Sequence, residues 1–170
     1  MPKVIITNEK GLVQQPGSGF DVRSEVVIRK RKVQNINEAT NLTSADFGYI
    51  ILGGAIGATQ GTSEGFTVKL PAPVAGGYFK FILRPAALHN SNGAQIHLHF
   101  TSDGSTNANK GVGQLLVNGS PTNKVAVQGK LTFVKAAATC GDQVECWSDG
   151  TVWYFLAIAD ASGAITAATH

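Results

Sequence analysis

His97 and His99 stand two residues apart in Ile96-His97-Leu98-His99-Phe100. In an extended strand, residues i and i+2 share a face, so both imidazoles point the same way. Two such groups could grip one ion, but a closed zinc site takes four ligands. A trimer would bring six around its axis. The pair therefore reads first as solvated or interface histidines at a trimer axis and second as a weak metal site; no metal is assigned. Gly61-Thr62-Ser63-Glu64-Gly65 matches the G-x-S-x-G pattern of a nucleophile elbow, which needs a strand before it and a helix after it. Here a glycine-rich loop precedes and a strand pattern follows. The triad order of Ser, acid, His also fails, because His170 is all that lies beyond His99. Gly53-Gly54-Ala55-Ile56-Gly57 is followed by no Gly-Lys-Ser/Thr and opens no helix, so it is no phosphate loop.

Asp142, Glu145, Asp149 and Asp160 gather near the C-terminal end. A glycosidase needs two carboxylates about 5–10 Å apart in a cleft. The sequence shows no cleft, and a turn already explains Asp149. Trp147, Trp153 and Tyr154 could stack on sugars. The run around Trp153 reads as core, which leaves Trp147 as the candidate glycan contact. Cys140 and Cys146 are expected to be reduced thiols, since no secretory signal precedes them. They would close a disulfide only if the loop between them folded back. No cofactor and no catalytic residue is expected.

Short strands must carry these residues. Phe66, Val68 and Leu70 alternate with Thr67 and Lys69; Phe79, Phe81 and Leu83 alternate with Lys80 and Arg84; Ile96, Leu98 and Phe100 alternate with the histidines. This is the period of two expected of half-buried strands. Further strands are expected at 21–34, 49–52, 113–118, 124–128, 131–135, 142–148 and 151–158, with room for one more after residue 160. Thr43 caps a single helical turn over Ser44-Ala45-Asp46. Asp149-Gly150 predicts a two-residue hairpin. Val152 to Ile158 is apolar at almost every position, which predicts a central strand buried on both faces. About ten short strands without a long helix mean a β-sandwich, a jelly roll or a barrel. The expected fold is all-β, a β-sandwich or jelly-roll-like body with an extended N-terminal arm. The division is residues 1–35 as arm and first strand, and 36–170 as body.

Composition agrees with a sparsely charged structural domain. Charged residues make up 15% of 170, against about 25% in ordinary domains. No apolar stretch approaches the ~20 residues that span a bilayer, so no membrane partner is expected. The opening Met1-Pro2-Lys3-Val4-Ile5-Ile6 is too short an apolar run for a secretory signal. The glycosylation-like triplets at Asn41 and Asn118 therefore carry no weight. The charge is uneven: residues 1–35 hold seven basic and three acidic side chains. Arg23, Arg29, Lys30, Arg31 and Lys32 form the excess. This run reads as a solvated strand face or as a dock for an acidic protein surface. Nucleic acid is disfavoured, since no aromatic residues interleave with it to stack on bases. Val4, Ile5 and Ile6 could add a strand to another protein's sheet.

Asn41-Leu42-Thr43-Ser44-Ala45-Asp46-Phe47-Gly48 resembles the "LTxADSG" opening of a class of small bacteriophage structural domains. Thr67-Val68-Lys69-Leu70-Pro71-Ala72-Pro73 and Gly76-Gly77-Tyr78-Phe79-Lys80-Phe81-Ile82 follow in the same order. Gly141-Asp142-Gln143-Val144-Glu145-Cys146-Trp147-Ser148-Asp149-Gly150-Thr151-Val152-Trp153-Tyr154 is similar to the "GDxVExxSDGTxWY" close of that class. Phe47 departs from the small residue usual there. The resemblance spans Asn41 to Ala167 and implies a capsid decoration, or cement, protein. Such a protein would sit on the outer capsid surface of a virion as a homotrimer, with the major capsid protein as partner. Val4, Ile5, Ile6 and the basic residues would fasten it. The alternative is a receptor- or glycan-binding module of a head or tail fibre. Neither is an enzyme.

Overall fold

The computed structural model describes residues 5–7, 11–13, 32–53, 66–84, 95–100, 110–118, 120–134 and 137–169. The chain divides into two units, Met1–Lys30 and Arg31–His170. In the first, β1 (Ile5–Thr7) pairs antiparallel with β2 (Gly11–Val13), Ile5 opposite Val13 and Thr7 opposite Gly11. This ribbon forms a sheet of its own. Residues 54–65 and most of the expected strand at 21–34 lie outside the described residues.

The second unit is all-β. In chain order its strands are β3 (Val33–Ile36), β4 (Thr40–Asn41), β5 (Gly48–Leu52), β6 (Phe66–Lys69), β7 (Tyr78–Leu83) and β8 (Ile96–His99). They continue with β9 (Gly111–Val117), β10 (Ser120–Gln128), β11 (Lys130–Phe133), β12 (Gln143–Ser148), β13 (Trp153–Ala159) and β14 (Ile165–Ala168). A seven-stranded sheet runs β10-β9-β13-β12-β7-β5-β3 and a five-stranded sheet runs β14-β11-β8-β6-β4. From β3 to β8 the chain steps from one sheet to the other at every strand. Each return lays a strand parallel to the one before it: β3, β5 and β7 in one sheet, β4, β6 and β8 in the other. Together with β13 and β9 these make five parallel pairings. A sandwich is therefore present, with mixed sheets in place of the antiparallel strands of a jelly roll.

The inner faces supply one core. Ile50 and Leu52, Phe79 and Phe81, Val144 and Cys146, and Trp153 and Phe155 come from the larger sheet. Val68, Ile96 and Leu98, and Leu131 and Phe133 come from the smaller. Phe100 stacks on Phe155, ring centres 5.4 Å apart. Each fully buried large apolar side chain contributes about 2 kcal/mol. Trp153 is fully enclosed, and its indole Nε1 donates to the Pro71 carbonyl at 3.0 Å. Phe47 packs edge-on against Phe79 and Trp153.

The local elements follow sequence chemistry, with two corrections. Thr43 does precede a single 3-10 turn over Ser44–Asp46. Val74–Gly77 closes a turn by the Gly77 amide donating to the Val74 carbonyl, with Gly76 at φ +78. That left-handed position suits glycine at the third place of a type II turn. Asp149-Gly150 does not make a two-residue hairpin. Ser148 pairs with Trp153, so the loop holds four residues. Asp149 Oδ1 accepts from the Thr151 and Val152 amides at 2.7 and 3.1 Å, widening the turn around its own side chain. Between β9 and β10, Val117 pairs with Ser120 and Asn118 takes φ +47. The second correction concerns β13. It is central, between β9 and β12, but only Trp153, Phe155, Ala157 and Ala159 are buried. Tyr154, Leu156 and Ile158 face outward and remain half-buried.

Candidate functional site

The outer face of the seven-stranded sheet collects aromatic side chains. β12 pairs with β13 and with β7, which sets Tyr154, Trp147 and Tyr78 in one row across three strands. Trp147 is 44% exposed. Its ring lies 6.3 Å from that of Tyr154, the planes 19° apart. Tyr49 of β5 meets Tyr78 edge-on at 6.4 Å. Two carboxylates fix these rings. Tyr154 Oη donates to Asp149 Oδ2 at 3.0 Å, and Tyr78 Oη donates to Glu145 Oε1 at 2.9 Å. The backbone amides of Thr151 and Val152 hold the Asp149 carboxyl below its ordinary range, so it is ionised at neutral pH. Burial, then the Glu145 carboxylate, push the Tyr78 phenol well above its usual value. Both phenols thus remain protonated donors. Lys80 stands directly across from Glu145 in register.

The outer face of the five-stranded sheet is different in kind. Lys69, His99 and Lys130 form one row across β6, β8 and β11, and Thr67, His97 and Thr132 form the next. His97 Nδ1 lies 2.9 Å from Thr132 Oγ1, and the two imidazole rings are 6.3 Å apart. The histidines therefore share a face, as their spacing requires. Burial and the Lys130 charge push the His97 pKa down. Among the described residues no group of three or more His, Cys, Asp or Glu could hold a metal. Lysines on both sides of His99 oppose a cation further.

The remaining candidates fall apart. Asp142 is buried as a backbone clamp, Oδ2 accepting from the Thr139 amide at 2.8 Å and Oδ1 from the Asp160 amide at 3.1 Å. It sits inside while Glu145 lies on the outer face, so the two do not form a catalytic pair. Cys140 is exposed and Cys146 buried, both free. Burial pushes the Cys146 thiol well above its usual range, so it stays a core thiol. Ile5 and Ile6 lie on β1, paired to β2. Val4, Arg23, Arg29, Lys30 and Arg31 lie outside the described residues. Lys32 is committed within the second unit: its Nζ meets Asp46 Oδ1 at 2.7 Å and the Ala45 carbonyl at 3.1 Å.

Sequence reasoning singled out Trp147 but missed Tyr49 and Tyr78 beside it. Tyr78 and Glu145 are 67 residues apart, so strand pairing alone joins them. The one local signal was that Trp147 falls on the polar phase of Gln143-Val144-Glu145-Cys146-Trp147. Comparison with protein-family models, with curated proteins and with solved structures finds no match for this chain.

Proposed function

We propose that this chain is a virion structural protein that binds the outer surface of a bacteriophage capsid and stabilises it, a decoration protein. Its partner is the major capsid protein, and it acts as a homotrimer without catalysis. One observation carries the proposal: among the described residues, β1 and β2 pair with each other in a two-stranded sheet of their own. Such a ribbon is marginal in water by itself and gains stability from a third strand or a packing surface. An edge of a capsid protein's sheet supplies that strand, with backbone hydrogen bonds satisfied on both sides. Arg23, Arg29, Lys30 and Arg31 lie in or next to the same unit and suit an acidic shell. Several copies bridging neighbouring capsomers then hold by multivalency, each contact being modest.

The test removes the ribbon at the unit boundary. A chain beginning at Arg31 retains Lys32 and β3, keeps its circular dichroism spectrum, and fails to co-sediment with undecorated capsids. If that truncated chain still saturates the shells, the fastening role is wrong. Light scattering of the full chain gives the mass of three copies; a monomer removes the trimer.

A further inference from the structure

We propose that the outer face of the seven-stranded sheet is a carbohydrate-binding platform, centred on Trp147 and taking a neutral oligosaccharide. Trp147, Tyr154 and Tyr78 span two interstrand steps, about 10 Å, enough for a disaccharide to lie across the strands. A pyranose presents an apolar C–H face and a rim of hydroxyls. The rings supply the apolar floor, and the hydroxyls need acceptors close by. Asp149 and Glu145 stand at the Tyr154 and Tyr78 phenols, with Gln143 on the same face of β12 and Lys80 across from Glu145.

The chemistry favours a sugar over other occupants. Covering Asp149 and Glu145 with the apolar surface of a second copy would strand two carboxylates away from water, which is costly. A polyanion would be repelled by the same groups. Sugar hydroxyls are neutral donors and meet both carboxylates without a counter-charge. The platform is also set in advance: each phenol is tied down by its carboxylate, and the indole lies against Tyr154. Little side-chain freedom is lost on binding, which favours affinity. The site lies on the second unit and does not depend on the capsid-binding role of the first.

Tryptophan fluorescence tests it on the full chain. Trp153 is fully enclosed and Trp147 is 44% exposed, so quenching by acrylamide reports on Trp147. The probes are an array of neutral oligosaccharides that includes cellohexaose, chitohexaose and maltohexaose. At least one protects Trp147 from the quencher. Trp147→Ala, which keeps cooperative unfolding because the side chain lies outside the core, weakens its binding roughly thirtyfold by calorimetry. Tyr154→Phe, which frees that ring from Asp149, also weakens it. Lys69→Ala on the opposite sheet leaves it unchanged. The proposal fails if no neutral oligosaccharide protects Trp147, or if Trp147→Ala binds as tightly as the parent chain. It also fails if protection appears with rising protein concentration alone, which would seat a second copy on this face.

Discussion

Asp46 accepts three hydrogen bonds, from Lys32 Nζ, from the Thr43 amide and from the Thr43 hydroxyl. The Lys32 contact is the largest of these influences, and together they hold the carboxyl at about 2 instead of 3.8. The unfolded chain binds this proton more readily than the folded one, so stability rises with pH across that interval. The contribution is complete above pH 4 and lost as pH falls toward about 2. Lys32→Ala should flatten this part of the stability curve and lower stability at pH 7 by about 1 kcal/mol or less, as suits an exposed ion pair. Urea titrations at pH 2 to 5 check it. An unchanged acid limb would assign the Asp46 shift to Thr43 alone. The same residue shows what a sequence hides. Lys32 reads as the end of a basic run, yet its charge is answered by a carboxylate 14 positions away, on a turn whose capping chemistry was legible by itself.

Among elements, β9 lies close against its neighbour. It runs parallel to β13 with Gly113 beside Phe155. A Cβ at Gly113 would run into the Phe155 carbonyl and ring. Gly113→Ala should therefore destabilise by about 3 kcal/mol, the upper end of overpacking costs. Thermal unfolding measures it, and a change within 0.5 kcal/mol, the surface norm, would show that β9 can move away. The strands themselves were legible wherever one face meets the core. Phe66, Val68 and Leu70, or Phe79, Phe81 and Leu83, alternate cleanly and are buried as the pattern requires. Pairing was not legible, because alternation says which side chains face inward and nothing about which strand lies alongside. Val152 to Ile158 misled for a related reason. Its outward residues Tyr154, Leu156 and Ile158 share the outer face with Trp147 and stay half-buried there. Asp149-Gly150 and Asn118-Gly119 are both hairpin dipeptides by composition. The Asp149 side chain captures two amides and lengthens the first loop, while at the second Val117 pairs with Ser120.

At the scale of the whole molecule, the proposed fastening and the proposed sugar binding are assigned to different units and should separate. The chain beginning at Arg31 should keep its oligosaccharide affinity while losing capsids, and Trp147→Ala should do the reverse. Calorimetry and co-sedimentation on the same two proteins decide it; loss of both activities in either one would mean a shared surface. The alternating path from β3 to β8 has a further consequence during synthesis. As the ribosome releases residues up to His99, the wound half of the sandwich is already out. The remaining partners of β7 and β8, which are β12 and β11, have not yet emerged. Two sheet edges then stay open at what will become the middle of each sheet. Open edges beside apolar faces invite pairing between nascent chains, so crowded polysomes are where this protein is most exposed to misassembly.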